Sequence, residues 1–155
     1  MVRQSPSSSE IMIIAGSRPK VTILMATWNR APLLERAIQS VQRQTFKNWE
    51  LVIADDDSTD DTPEIVKRWQ EKESRLVYTR SQENLGISKN YNRGFKISRG
   101  QYIAMIDDDY PWCNEKKLEK QLAFLEKNPD YVGCGGGVIV VNEKRQELYR
   151  YLKPE

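Results

Sequence analysis

Short, continuous apolar runs alternate with longer amphipathic segments along most of the chain. Runs of about four to eight apolar residues between turn residues are typical of buried strands, whereas apolar residues three and four positions apart are typical of helices that cover a sheet. On this pattern the predicted strands are residues 21–26, 50–54, 75–79 and 102–106, and a last strand that begins near 131 and resumes at 138–141.

Each of the first four predicted strands is followed by a segment with helical spacing. The first helix is predicted over residues 32–44. In the second, Thr62 is predicted as the N-cap with Pro63 in the first turn, and Asn114 is predicted to cap the fourth. The apolar faces are Leu34, Ala37, Ile38 and Val41; then Ile65, Val66 and Trp69; then Ile87, Tyr91 and Phe95; then Leu118, Leu122 and Leu125.

This alternation predicts an α/β protein with three layers, in which a mostly parallel sheet is covered by helices on both faces. Residues 1–19, which include a serine-rich stretch, are predicted to form a flexible leader. Residues 20–155 are predicted to form one domain with its own core. The pattern leaves open whether that domain is complete or the front half of a larger protein, because its polar end has no clear closing element.

The composition excludes several functional classes. The formal charge is +2, from 24 basic and 22 acidic residues, and this near balance argues against nucleic-acid binding. There is no histidine, so histidine catalysis and histidine metal ligation are excluded within the chain. Cys113 and Cys134 have no metal-ligand spacing, and reduced thiols in a cytoplasmic protein are expected. No apolar run is long enough to span a membrane, but peripheral association with the inner membrane face stays open.

Three consecutive carboxylates, Asp107, Asp108 and Asp109 (the acidic triplet), follow the predicted strand 102–106. Adjacent carboxylates repel one another, and a divalent cation relieves that repulsion. Hard oxygen ligands favour Mg²⁺ or Mn²⁺, which commonly hold phosphates as well. The alternative is a solvated turn whose acids cap the next helix.

A second acidic cluster follows the predicted strand 50–54. Asp60 and Asp61, with Thr62, lie where helix-capping residues are expected. Asp55 directly ends the strand, where its carboxylate could accept a hydrogen bond from a ring N–H such as that of uracil. The carboxyl ends of parallel strands meet at one sheet edge, so both acidic clusters predict a polar ligand crevice there.

The end of the first predicted strand adds two further candidates. Trp28 is either a core residue or an aromatic cover for a nucleobase beside Asp55. Arg30 is either a surface residue or a phosphate contact.

The chain resembles glycosyltransferase family 2, enzymes with the GT-A nucleotide-diphospho-sugar transferase fold. The matching segments are residues 21–30, 49–62, 84–88 with Asn92 and Gly94, and 100–109, all in the family's order. The resemblance implies transfer of a sugar, with inversion, from a nucleotide-diphospho-sugar to an acceptor hydroxyl on a glycan, lipid or other molecule. A UDP-sugar donor and a Mn²⁺ or Mg²⁺ cofactor are expected.

The resemblance also implies residue roles. Asp109 would bind the metal directly, and Asp107 or Asp108 would reach the ribose or a metal-bound water, so that the expected metal ligands are Asp109 and Asp107. The expected nucleotide-sugar-binding residues are Ala26, Thr27, Trp28, Asn29, Asp55, Lys89, Asp107 and Asp108, with Tyr91 in the same segment as Lys89.

Two departures from the family pattern matter. Tyr110 stands where the family commonly has another acid, so the metal environment is expected to differ. The family's catalytic base lies downstream of the matching region, and no acid of this chain matches it. A non-catalytic or truncated sugar-nucleotide-binding module is therefore the alternative. A nicotinamide dehydrogenase lacks support because no glycine-rich turn follows the first strand, and a phosphoacceptor domain would need phosphorylation without nucleotide affinity.

Overall fold

A computed structural model describes residues 1–3, 18–142, 144 and 146–151. The strands are β1 (Val2–Arg3), β2 (Val21–Thr27), β3 (Trp49–Asp55), β4 (Leu76–Arg80), β5 (Tyr102–Met105), β6 (Val138–Val141) and β7 (Glu147–Tyr151). The helices are α1 (Ala31–Gln42), α2 (Thr62–Gln70), α3 (Ile87–Ile97) and α4 (Lys117–Lys127). The main sheet has the order β1-β5-β2-β3-β4, with β2 to β5 parallel and β1 antiparallel at one edge.

Alternate residues of the strands supply two separate cores. Ile23 and Met25 of β2 lie in a core shared with α1, α2 and α4. Leu24 lies on the opposite face of the sheet, where it packs with Tyr91 and Phe95 of α3. Full burial of each large apolar side chain stabilises the fold by about 1.5–3 kcal/mol. The predicted three-layer α/β/α architecture with a mostly parallel sheet is therefore confirmed.

A buried carboxylate fixes the amino ends of the central strands. Glu50 accepts hydrogen bonds from the Thr22 hydroxyl at 2.6 Å and from the Arg99 backbone and guanidinium at 2.7–2.8 Å. Gly100 approaches β2 so closely that a Cβ would lie 2.2 Å from the backbone nitrogen of Thr22. These contacts hold the start of β5 against β2 and β3, and so fix which residues meet at the other end of the sheet.

The carboxyl-terminal strands differ from the prediction in part: the strand predicted at 138–141 is confirmed as β6, whereas the start near residue 131 is not. Residues 131 and 132 are not in a strand, and β6 pairs antiparallel with β7 in a separate two-stranded sheet. Two hydrogen bonds link Asn142 and Gln146 between these strands. The Asn142 backbone N–H donates to the Gln146 carbonyl at 3.0 Å, and the Gln146 backbone N–H donates to the Asn142 side-chain oxygen Oδ1 at 2.9 Å. β7 was not predicted, because its polar residues give no apolar run. An exposed hairpin strand can form without an apolar run, since the partner strand supplies hydrogen bonds to its backbone N–H and C=O groups.

The predicted N-caps were wrong for two helices. Asp61, not Thr62, is the N-cap of α2, and Pro63 lies in the first turn as predicted. Asn114 does not cap α4, which begins at Lys117; its side chain accepts from the Lys116 backbone N–H in the preceding turn. Caps depend on local backbone geometry, which residue type alone does not determine.

The predicted leader includes Val2 and Arg3, which form the short strand β1 paired with β5. Residues 4–17 of that leader lie outside the described residues, so the leader and the domain boundary at residue 20 stay predictions. Strand β1 escaped the pattern analysis because two residues are too few to show a period.

Two loops at the carboxyl edge of the sheet are tied together. The Asn29 backbone N–H donates to the Ser58 hydroxyl at 2.9 Å, and the Asn29 side chain accepts from the Thr59 backbone at 2.7 Å. Asp60 accepts from the backbone N–H of Ala31 at 3.0 Å and of Thr62 at 3.1 Å, which are the first residues of α1 and α2. One carboxylate thus caps both helices and holds the loop after β2 against the loop after β3.

We expect Asp60→Ala to lower the free energy of unfolding by about 1–3 kcal/mol, because it removes two helix caps together. Burial tends to raise the pKa of Asp60, but hydrogen bonds from Thr62 and Ala31 outweigh it and leave the pKa below the ordinary value of 3.8. The stabilisation of the fold by ionised Asp60 is therefore complete above pH 3.8 and is lost as the pH falls through the lower pKa of Asp60 in the folded state.

Urea unfolding of the wild type and the variant at pH 7 and at pH 3 measures this effect. Asp61→Ala is the matched control, because Asp61 is exposed and its side chain makes no capping hydrogen bond. Equal losses of stability in the two variants at pH 7 would contradict the capping role of Asp60.

Candidate functional site

The carboxyl ends of three strands meet at one edge of the sheet. β2 lies between β3 and β5, and Thr27 at its end pairs with Asp55 at the end of β3. On the other side of β2, the Ile106 backbone N–H donates to the Leu24 carbonyl at 3.1 Å, and the acidic triplet follows directly. The fold therefore places both acidic clusters at the same sheet edge, on either side of the end of β2.

Asp109 is paired with a cation. The Arg30 guanidinium nitrogen Nη1 lies 3.1 Å from Asp109 Oδ2, and both side chains are partly exposed, at 49% and 26%. Arg30 is the N-cap residue of α1 and comes directly from the loop that Asn29 holds. A cation beside Asp109 is what the repulsion among three neighbouring carboxylates favours.

Asp108 is the buried member of the acidic triplet, with 9% of its surface exposed. Burial raises its pKa above the ordinary value, and the charges of Asp109 and Asp107 raise it further, while the Thr27 hydroxyl and Arg30 lower it. The Thr27 hydroxyl is itself buried, and within the described residues it has no hydrogen-bond partner other than its loose contact with Asp108. A buried donor so weakly satisfied beside an acid marks a polar site able to accept a further partner.

Asp107 is exposed and lies near α3. The Tyr91 hydroxyl donates to its Oδ1 at 3.4 Å, and burial followed by the charge of Asp107 raises the pKa of Tyr91 to about 12. Lys89, on the same helix, makes no ion pair or hydrogen bond within the described part of the chain. It lines a pocket of about 290 Å³ with Leu85, Asn92, Arg93 and Lys96, and its role in nucleotide binding stays a prediction.

Asp55 is fully buried, and both of its oxygens already have donors. Oδ1 accepts from the Ser58 backbone at 2.9 Å and from the Ser58 hydroxyl at 2.5 Å. Oδ2 accepts from the Tyr78 hydroxyl at 2.5 Å and lies 3.9 Å from Arg80 Nε. Burial, and then Asp55 itself, raises the pKa of Tyr78. A ligand N–H could reach this carboxylate only by taking the place of one of these donors.

The remaining predicted residues surround the end of β2. Ala26 is buried, and Asn29 holds the loop. Trp28 is 52% exposed, so its ring is available to stack on a flat ligand and is not a core side chain. Among the described non-glycine residues, positive φ values occur at Asn29 (52°) and Asp57 (64°), both in loops at this edge. Such backbone strain is concentrated at functional sites in many proteins.

Two residues that shape the site were not predicted from the sequence. Asp56 is buried and accepts from the backbone N–H groups of Leu85 and Gly86, at 2.9 and 2.8 Å, so it positions the start of α3. The Arg93 guanidinium donates to the Asp55 carbonyl at 2.7 Å and so ties α3 to the end of β3. The run of acids at 55–57 indicated an acidic cluster. Only the fold shows which of these acids binds backbone N–H groups and which lies at the crevice.

The acidic triplet suits a hard divalent cation in the chemistry of its oxygens. Within residues 1–3, 18–142, 144 and 146–151, no group of three or more acidic or cysteine side chains is close enough to hold a metal by itself. A metal at the acidic triplet would therefore take its remaining oxygen ligands from water or from a bound molecule such as a diphosphate. Within the same residues, no helix is long and apolar enough to cross a bilayer.

Comparison with known proteins identifies the family. The sequence model described as "Glycosyl transferase family 2" matches residues 22–153. The GalNAc(5)-diNAcBac-PP-undecaprenol beta-1,3-glucosyltransferase of Campylobacter jejuni is 38% identical over 81% of this chain and 40% of its own length. The chain spans less than half the length of the curated relatives first matched.

Two solved structures share the fold. S. aureus TarS in complex with UDP has a TM-score of 0.66 at 26% identity, over 71% of this chain and 33% of its own. The mannosyltransferase PcManGT from Pyrobaculum calidifontis, in complex with GDP-Man and Mn²⁺, has a TM-score of 0.67 at 28% identity, over 83% of this chain and 37% of its own. The predicted GT-A type of fold is confirmed by these neighbours, and the chain belongs to glycosyltransferase family 2.

Proposed function

We propose that this chain is the donor-binding part of an inverting glycosyltransferase, which binds a nucleotide-diphospho-sugar through Mn²⁺ or Mg²⁺ at the carboxyl ends of β2, β3 and β5. The observation that carries the proposal is the exposed Trp28 at the sheet edge that holds both acidic clusters, where the Arg30 guanidinium pairs with Asp109. The UDP, GDP-Man and Mn²⁺ in the solved neighbours support it.

Each residue has a proposed task. The base stacks on Trp28 in a pocket formed with Ala26, Thr27 and Asn29. Asp107 and Asp108 bind the ribose or a metal-bound water, and Asp109 and Asp107 supply carboxylate oxygens to the metal. Lys89 is retained only as a more distant contact of the nucleotide, because it faces the pocket on α3. Bound metal would supply positive charge that stabilises the departing nucleoside diphosphate.

Asp55 is proposed to select the base. The N–H of a uracil ring would replace the Tyr78 hydroxyl as the donor to Asp55 Oδ2. A uracil N–H fits an acceptor-only carboxylate, whereas the matching ring nitrogen of cytosine is itself an acceptor and would be repelled. The carboxylate therefore favours UDP over CDP, and the preference for UDP over GDP, whose guanine also has a ring N–H, is proposed from the family resemblance.

The acceptor is proposed to be a hydroxyl of a glycan, a lipid-linked sugar or another molecule, and its attack on the anomeric carbon requires a general base. We name no base, because no acid of this chain matches the family's motif. A relative with an undecaprenol-linked substrate supports a cytoplasmic protein that works at the inner face of the membrane. The alternative is a module that binds the donor without transfer.

We expect calorimetry to detect UDP binding that is stronger than GDP or CDP binding and that depends on Mn²⁺. Chelation of the metal, or Asp109→Ala, should weaken UDP binding at least about tenfold, because the pyrophosphate then lacks its cation. Asp130→Ala is the matched control, since Asp130 is an exposed loop acid. Wild-type affinity in Asp109→Ala would remove Asp109 from the metal site, and wild-type protein that binds no nucleotide would refute the proposed function.

We expect Tyr78→Phe to tighten UDP binding by about three- to tenfold, because it removes the donor that competes with uracil for Asp55; the gain corresponds to about one hydrogen bond. CDP binding should not change, so the ratio of the UDP and CDP affinities should rise. Tyr131→Phe is the control, since Tyr131 is exposed and its ring packs against Phe124 of α4. An unchanged ratio would contradict base selection by Asp55.

A further inference from the structure

The side chain of Arg30 is the positively charged partner of the acidic triplet. Within the described part of the chain, no other basic side chain pairs with Asp107, Asp108 or Asp109, and the Arg30 guanidinium reaches one oxygen of Asp109 at 3.1 Å. Asp109 is also the carboxylate to which the proposed function assigns the metal. The guanidinium therefore lies where a divalent ion would have to bind.

The backbone of Arg30 is fixed by hydrogen bonds, whereas its side chain is half-exposed and anchored at its tip to Asp109. Its carbonyl accepts from the N–H groups of Leu33 and Leu34 at 2.9 and 3.0 Å, and the neighbouring residues Asn29 and Ala31 are bound to the loop after β3. Among the residues that the structure describes, the guanidinium forms a hydrogen bond and ion pair with Asp109, and the side chain remains 49% exposed. A fixed backbone with a long, half-exposed side chain lets the charge move locally without any change in the fold.

Two cations at one carboxylate oxygen repel each other, so a divalent ion bound to Asp109 disfavours the guanidinium at that position. A nucleoside diphosphate bound at the same place brings several anionic oxygens. A guanidinium presents a planar fork of N–H donors that matches phosphate oxygens with two parallel hydrogen bonds. The displaced side chain therefore has a new anionic partner within the same crevice.

We propose that Arg30 is an exchangeable counterion, which neutralises Asp109 in the metal-free protein and moves onto a donor phosphate when a divalent ion takes its place. This inference rests on the proposed function. It makes Arg30 a donor-binding residue with opposite effects on two ligands: it competes with the metal when the metal is alone, and it assists the diphosphate when metal is present.

The test is to measure two binding constants for Arg30→Ala and Arg30→Lys. The first constant is for Mn²⁺ alone, from the resonance signal of free Mn²⁺; the second is for UDP at saturating Mn²⁺, from calorimetry. For Arg30→Ala we expect Mn²⁺ alone to bind about two- to fivefold more tightly, because a partly exposed ion pair no longer competes. UDP should bind about tenfold or more weakly, because a charge-assisted hydrogen bond is lost.

Arg30→Lys keeps the charge but not the fork, so we expect near wild-type Mn²⁺ affinity and an intermediate loss of UDP affinity. Arg43→Ala is the matched control: it removes an arginine from the other end of the same helix, where Arg43 lies 3.8 Å from Glu115, and it should change neither constant.

Weaker or unchanged binding of Mn²⁺ alone in Arg30→Ala overturns the exchange, as does unchanged UDP binding. If the wild type binds UDP with Mn²⁺ and Arg30→Ala leaves both constants unchanged, this inference fails while the proposed function stands. If the wild type binds no UDP under any condition, both fail.

Discussion

The direction and register of three parallel strands are the constraint on which the site depends. Because β2 lies between β3 and β5, any polar residue that follows β3 or β5 is delivered to the same edge of the sheet as the loop after β2. The Glu50 and Gly100 contacts at the opposite end fix this register. A slip of one residue would turn every side chain to the other face and separate the acidic clusters.

The same residue type performs different tasks at this edge, and burial decides which. Asp56 is buried against backbone N–H groups and positions the start of α3, and Asp60 caps two helices. Asp55 is buried but satisfied by side-chain donors that a ligand could replace. Asp109, by contrast, is partly exposed and pairs with the longer, more exposed side chain of Arg30, which suits the exchange of cations proposed above.

The regular elements could be predicted from the sequence, since buried strands and amphipathic helices leave apolar periods. The buried faces of α1 and α4 follow the predicted residues, with Leu34, Ile38, Leu118 and Leu125 all fully buried. Strand β6 was predicted at 138–141 from its apolar run, but its partner β7 could not be predicted in the same way, because an exposed strand is stabilised by backbone pairing that leaves little trace in hydrophobicity. The family resemblance was confirmed because it depended on the order of several motifs and not on any single one.

The site was predictable as a place but not as a set of contacts. The acids that follow two apolar strands located the crevice. Nothing in the sequence, however, showed that the Asp55 oxygens already accept hydrogen bonds from Ser58 and Tyr78 and are not free to accept one from a nucleobase. The pairing of Arg30 with Asp109 joins residues 79 positions apart and follows only from the fold. Local pattern can propose residue types for a site, whereas the partner of each charge is set by tertiary structure.

The most direct measurement is a crystal structure of the protein grown with UDP and Mn²⁺, with anomalous diffraction recorded to locate manganese. The account predicts a manganese peak about 2.1 Å from an oxygen of Asp109, a typical distance for a hard divalent ion. It also predicts diphosphate oxygens as further ligands and the uracil ring against Trp28. A manganese peak away from the acidic triplet, or UDP bound elsewhere than the carboxyl ends of β2, β3 and β5, would contradict it.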